Sequence, residues 1–428
     1  MSTTRDFDVV RDPLWNNIRL DRRAMAVLDT PAVQRLRYVR QLGHAFLVYP
    51  GATHSRFEHA LGAYHLAKTA LSALAERDEL ALVTAEQCEA VRLAALLHDI
   101  GHYPFSHALE EAGFPSHEQL GVARLGRGEL AHVLDEIGRG FGDEVGRLIT
   151  GDSDSPIGRL ITGSIDLDKI DYLSRDAFMC GVPYGTVDVD RLLASLTLVE
   201  ATAGRMEVGV HEKGVSALES LLFAKYQMYR NVYWHHAVRA ATCMFKRAVR
   251  DAVRADVISA ERVSGATDDE VMFLLERSGS ALARAVRTRR LYKRALELPA
   301  SDVPADAKEW VSEDPALMER VEDAVAREVG LKPGELLIDY PARASMLGVD
   351  LPLLTRDGRV ERLTDRGRAG SFGLPAIAPE LYRSARRLRV FTAQPIGTGL
   401  DGLLELLTRG AADVDRALRE EHALLAGS

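Results

Sequence analysis

The chain has 428 residues, 46% hydrophobic and 27% charged, an ordinary globular balance in a length that accommodates two subdomains. Lys+Arg 54 against Asp+Glu 62 gives a formal net charge of −8, which weighs against a surface that coats nucleic acid but leaves room for a local basic pocket. No apolar run approaches the roughly 18 residues of a membrane helix, no secretory pattern opens Met1 to Asp12, and Cys88, Cys180 and Cys243 are too scattered for a disulfide framework or a cysteine zinc site, so a reducing cytoplasm is the expected setting.

Apolar residues at helical intervals predict a helix over 58–76. Thr84 and Gln87 form a capping box that opens CEAVRLAALLHDI, which stops at Gly101, and Ser116 with Gln119 forms a second box. Residues 214–250, rich in aromatics and free of Pro, read as one long helix. Segment 267–298 reads as helical with a break near Gly279, ELPASDVPADAKEW as a connector, and 313–329 as a helix ending at Gly330. GELLIDYP and VDLPLLTRDGRVERLT alternate like strands, with Asp357-Gly358 as a hairpin turn, and the tail from 399 reads as one or two helices. The expected fold is mainly α, with a helical core over 1–250 and a smaller α+β region over 251–428.

Eight of the 13 histidines lie between His54 and His132, most densely in HDIGHYPFSHALEE, 98–111. His98 and Asp99, adjacent at a helix end, can offer an imidazole nitrogen and a carboxylate oxygen to one cation, a mixture that borderline and hard metals accept. His59 in HSRFEH and Asp168 in SIDLDKIDYLSRDA complete a candidate ligand set. Asp168, Tyr172 and Arg175 or Asp176 fall about one and two turns apart and share a helix face. His44, His65, His132, His211 and His422 are read as surface or hydrogen-bonded residues, and His235-His236 as structural.

RFEHALG, LLHDIGHYPFSHALE, SHEQ and IDLDKIDYLSRD together resemble the HD-domain deoxynucleoside triphosphate triphosphohydrolases, the bacterial dNTPases and the catalytic part of the vertebrate SAM- and HD-domain protein. The resemblance spans 8–245 and includes DTPAVQRLRYVRQLGHAFLVYPGATHSRFEH. It implies an HD phosphohydrolase core over 1–250; the region over 251–428 carries no motif that names its job, and oligomerisation or regulation is its default reading. The resemblance implies His59, His98, Asp99 and Asp168 as metal ligands, for a divalent Mg, Mn, Fe, Co, Ni or Zn ion. Arg56, His102 and Lys169 match positions that contact the triphosphate; His107, Glu110, His117 and Glu118 match an acid–base cluster; Gln41, Leu42, Tyr172 and Asp176 match the frame around the deoxyribose. Glu110 stands where the vertebrate enzyme has an aspartate, and the vertebrate base-contacting motif is not reproduced in YRNVYWHHAVRAAT, leaving base preference open. Asp29, Gln34 and Arg37 match a guanine-nucleotide effector site between subunits, which implies a homodimer or homotetramer.

The implied reaction is attack of water on the α-phosphorus, giving deoxynucleoside and tripolyphosphate. His117 is the first candidate to protonate the leaving oxygen, followed by His107. The competing readings are another HD phosphohydrolase acting on a nucleoside monophosphate, a cyclic dinucleotide or a guanosine polyphosphate, a metal-dependent nuclease or nucleic-acid-binding module supported by the basic run at 283–294, and a catalytically silent nucleotide sensor. Tyr172 with Gln41-Leu42 favours deoxynucleoside triphosphates, and the full ligand set favours an enzyme over a sensor.

Overall fold

Small and branched apolar residues on several faces of one segment demand cover on several sides, and the Arg56–Ala75 helix obtains it. It packs against the Ala85–Leu97 and Leu167–Cys180 helices at the centre of the largest hydrophobic core. The computed structural model describes residues 7–201, 204–342, 348–364, 373–396, 399–400 and 402–425. Ser55 starts the central helix by sharing Glu58 Oε2 between its backbone N–H (2.5 Å) and its hydroxyl (2.8 Å). The Thr84–Gln87 box is present in both directions, at 3.1 and 2.9 Å. Ser116 Oγ accepts from the Gln119 N–H at 3.3 Å at the start of the His117–Leu125 helix.

The fold is mainly helical, with three small sheets among the described residues. An antiparallel hairpin pairs Phe7–Asp12 with Asn16–Asp21. A four-stranded sheet runs in the order Leu196–Glu200, Met206–His211, Leu351–Leu354, Val360–Leu363, the last two joined through the Asp357-Gly358 turn. A three-stranded sheet is ordered Lys293–Pro299, Arg387–Thr392, Leu336–Asp339. Leu351, Leu353, Leu363 and Ala385 return to the first core, while the Pro315–Glu328 helix, the third sheet and the Leu403–Thr408 and Ala411–Arg419 helices build another.

Three expectations are corrected. The long helix over 214–250 is two, Val215–Met228 and His236–Arg254, separated by a π-turn at Tyr229–Tyr233. There Tyr229 packs edge-on against both Tyr233 and Trp234, and His235 Nδ1 caps the second helix at the Ala237 N–H. The helical reading of 267–298 holds for Asp268–Arg277 and Ala281–Arg287, but Lys293–Pro299 is a strand because Arg387–Thr392 supplies its ladder partner. His44 is neither at the surface nor hydrogen-bonded: it is 1% exposed, stacked on Phe105 at 4.2 Å, and burial presses its pKa down to about 3.

Candidate metal centre and acid–base cluster

Three helices bring the metal-ligand candidates together. His59 lies in the first turn of Arg56–Ala75, His98 caps the end of Ala85–Leu97, and Asp168 lies in the first turn of Leu167–Cys180. Each imidazole is turned by a partner on its far nitrogen: His98 Nδ1 is 2.9 Å from the Ala95 carbonyl, and His59 Nδ1 is 2.8 Å from Asp171 Oδ2. Those partners are acceptors, so the Nδ1 atoms carry the protons and both Nε2 lone pairs face inward, 3.1 Å apart. Asp168 Oδ1 lies 2.9 Å from His59 Nε2 and 3.5 Å from His98 Nε2. Asp99 adds Oδ2 at 3.5 Å from the first nitrogen and Oδ1 at 3.4 Å from the second. Two imidazole nitrogens and two carboxylates converging on one point need positive charge between them, a proton or a metal, and the donor set fits a divalent metal.

The same carboxylates perturb the rings. Burial lowers the His59 pKa, but hydrogen bonds with Asp168 and Asp171 overcome it and carry it up to about 10. His98 is also raised: burial opposes, and Asp99 and Asp168 prevail. Asp99 is held well below the usual carboxylate range, the Arg56 guanidinium outweighing burial.

Beside this centre, Glu110 organises the histidines. Its Oε1 is 3.0 Å from His117 Nδ1, 3.4 Å from His107 Nδ1 and 3.9 Å from His102 Nδ1. His102 links the two groups, since its Nε2 lies 3.1 Å from Asp99 Oδ1 and its ring is stacked on that of His117. Burial raises the Glu110 pKa, but His107 and His117 bring it far down. The His117 pKa is raised, Glu110 overcoming burial, whereas His102 is pushed well below its usual value by burial and by Arg56. Donor atoms of His102, His107, Glu110 and His117 lie within 4.8 Å of one another, so this group also has the composition of a metal site. Within it the His102 and His117 rings lie face to face, 15° from parallel. Glu118 stands further out, half-exposed, 3.6 Å from His117 Nε2.

Of the triphosphate candidates, Arg56 is buried, bonded to Asp99 at 2.5 Å and to Ser106 Oγ at 3.0 Å. His102 faces Asp99 Oδ1 at 3.1 Å, and Lys169 holds Asp166 and the Gly163 carbonyl. Of the sugar-frame candidates, Tyr172 lies on the Asp168 helix with its ring 6.4 Å from that of Tyr233. Asp176 accepts from Tyr233 Oη and pairs with His54 Nε2, both at 2.7 Å. Gln41 is buried with its amide oxygen unbonded, and its N–H donates to the His54 carbonyl at 3.0 Å; Leu42 packs beside it, half-buried. Away from this site, Arg37 Nε donates to Gln34 Oε1 at 2.7 Å and its guanidinium lies 3.5 Å over the Phe57 ring, with Asp29 exposed at the end of the preceding helix.

Sequence reasoning missed Asp171 as the partner of His59; its signal was the third carboxylate in IDLDKIDY, three residues beyond Asp168. It missed Ser106, which positions Arg56, and left His54 unassigned. Arg239 is buried between Glu111 and Asp339 at 2.6–3.1 Å.

The family profile for the HD domain matches residues 56–176, and that for the HD associated region matches 187–367. The chain thus carries an HD domain followed by an HD associated region, and over part of its length it is similar to the deoxynucleoside triphosphate triphosphohydrolases. It is 36% identical over 308 residues to the uncharacterized protein MJ1154 of Methanocaldococcus jannaschii, covering 71% of this chain and 62% of that one. It is 30% identical over 263 residues to the deoxynucleoside triphosphate triphosphohydrolase SAMHD1 of Bos taurus, covering 53% and 44%. The chain thus spans less than two thirds of the length of these relatives. A crystal structure of a hypothetical protein from Aquifex aeolicus superposes with TM-score 0.69 at 25% identity, over 90% of this chain and 96% of that one. Among the described residues no helix is long and apolar enough to cross a membrane.

Proposed function

We propose that this protein hydrolyses deoxynucleoside triphosphates to deoxynucleoside and intact tripolyphosphate. The observation that carries the reading is the junction at His102, which sets an HD ligand group directly against a proton-carrying His–Glu pair, with Tyr172 and Asp176 on the Asp168 helix. A divalent cation held by His59, His98, Asp99 and Asp168 would supply positive charge to a phosphate oxygen and an activated water.

The chain's own groups do the rest. Glu110 accepts the Nδ1–H of His117 and favours its imidazolium, so Nε2–H is available to the departing 5′-oxygen. His107, more exposed and on the same carboxylate, is the second donor. Glu118 stands near His117 Nε2, where it can steady that proton. Arg56 and Lys169, each in an ion pair, can share their charge with the tripolyphosphate, and His102, neutral beside Asp99, can accept or donate once oxygens arrive. Gln41, Leu42, Tyr172 and Asp176 would frame the sugar, with the Tyr172 ring crowding a 2′-hydroxyl. Asp29, Gln34 and Arg37 are read as a guanine-nucleotide effector site in a homodimer or homotetramer, and residues 1–250 as the catalytic core with 251–428 as the oligomerisation or regulatory region.

The test is turnover of dGTP, dATP, dCTP, dTTP and GTP, singly and mixed, with each divalent metal. Deoxynucleoside release absent with GTP and lost in His98→Ala and Asp168→Ala supports the reading. Turnover only of a nucleoside monophosphate, cyclic dinucleotide, guanosine polyphosphate or nucleic acid overturns it in favour of another HD phosphoesterase.

A further inference from the structure

The N-terminal hairpin reaches the candidate metal centre through buried charges that the proposed reaction leaves unused. Asp12 ends the first strand; its Oδ1 accepts the N–H groups of Leu14 and Trp15 at 2.9 and 2.7 Å, which fixes the turn. Its Oδ2 accepts from Arg175 Nη1 at 2.8 Å. Arg175 then grips Asp171 with two parallel bonds, Nε to Oδ2 at 2.8 Å and Nη2 to Oδ1 at 2.9 Å. Trp15 completes the grip from the hairpin turn, its indole N–H donating to Asp171 Oδ1 at 2.5 Å. Asp171 Oδ2 is the acceptor that orients His59.

Four donors therefore saturate one carboxylate, and Asp12, Asp171, Arg175 and His59 are each no more than 2% exposed. Two aspartates against one arginine leave a buried unit of negative charge, which positive charge on the His59 side offsets, a proton on the ring or a metal at Nε2. Gly62 clears the space: a Cβ there would lie 1.8 Å from Asp171 Oδ1 and 2.5 Å from Arg175 Nη2.

We infer that Trp15 and Asp12 are positioning residues for metal binding, acting through Arg175 and Asp171 to aim His59 Nε2. A two-stranded hairpin has little stability alone, so its docking and the orientation of His59 rise and fall together. The inference rests on the reading that His59 is a metal ligand.

The experiment is Mn(II) binding to the full chain, followed by calorimetry and by the electron paramagnetic resonance signal of free Mn(II). Trp15→Phe keeps the ring and removes the donor; it is expected to weaken Mn(II) by about 10- to 100-fold, with unchanged far-UV circular dichroism. Trp15→His returns an N–H and is expected to recover part of the loss. Phe7→Ala, on the exposed strand of the same hairpin, is expected to bind as wild type. Wild-type affinity in Trp15→Phe, or an equal loss in Phe7→Ala, overturns the positioning role. If Trp15→Phe unfolds, Asp12→Asn carries the same comparison. Absence of Mn(II) binding to the wild type sinks the metal reading as well, and so separates the two failures.

Discussion

His102 stacks on His117 with ring centroids 3.8 Å apart and 15° between the planes, although burial and neighbouring charge drive their pKa values in opposite directions. His102 is lowered well below 6.5 and is neutral at pH 7, while His117 is raised above 6.5, Glu110 outweighing burial. Two stacked imidazolium rings would repel, so a neutral His102 leaves His117 free to take up the charge.

The pH dependence follows from the sign of that shift. A raised pKa keeps His117 in its acid form from low pH up through 6.5, and the form is lost as pH rises through the folded value. The alkaline limb of the kcat profile is expected above 6.5, and Glu110→Gln should move it downward while lowering kcat by about 10²- to 10⁴-fold. A limb unchanged in Glu110→Gln would remove His117 as the acid.

Metal affinity should rise with pH for a separate reason. Without a cation the His59 pKa stands at about 10, so a proton and a metal compete for Nε2, and binding must release that proton. Calorimetry in buffers of different ionisation enthalpy should detect about one proton or more released per ion at pH 7. Binding that takes up protons, or is indifferent to pH between 6 and about 9, would contradict the assigned ligand role.

Gly101 is a packing requirement of the HDIGH motif. A Cβ there would lie 1.9 Å from the His117 carbonyl oxygen and 2.4 Å from the Gly121 nitrogen. Neither backbone atom can yield without shifting the helix that carries His117. Gly101→Ala is expected to cost about 1–3 kcal/mol in denaturant unfolding and to reduce kcat more than substrate affinity.

Much of this was legible because local rules and tertiary needs agree. The Thr84 box, the apolar run before His98 and the Asp357-Gly358 turn carry their instructions within a few residues. The π-turn at Tyr229–Tyr233 was not legible, because aromatics at 226, 229, 233 and 234 stand on more than one face of a helix and leave no single stripe whose phase an inserted residue would break. Lys293–Pro299 is rich in helix-compatible Lys, Arg, Ala, Leu and Glu, and becomes a strand through a partner about ninety positions away. In the site, the candidates His59, His98, Asp99 and Asp168 stand in the RFEH, HDIGH and IDLDKIDY segments, whereas the His59–Asp171–Trp15 relay joins residues up to 156 positions apart.

The effector reading has its own consequence. Arg37 lies over Phe57, the neighbour of Arg56 in the first turn of the central helix, so a ligand that moves Arg37 acts on the start of the catalytic helix. Arg37→Ala is expected to abolish any stimulation of dATP turnover by added GTP or dGTP, read as the ratio of rates with and without the guanine nucleotide. Stimulation that survives the substitution would locate the effector elsewhere.

The proposed reaction is tested most directly by ³¹P NMR of dGTP incubated with the wild-type protein and Mn(II), recorded after the Mn(II) has been removed on a chelating resin. Cleavage at the α-phosphorus with His117 protonating the 5′-oxygen is expected to yield the doublet and triplet of tripolyphosphate, with no nucleotide signal accumulating and no product in His98→Ala. Pyrophosphate with deoxynucleoside monophosphate, or orthophosphate with the diphosphate, would contradict it.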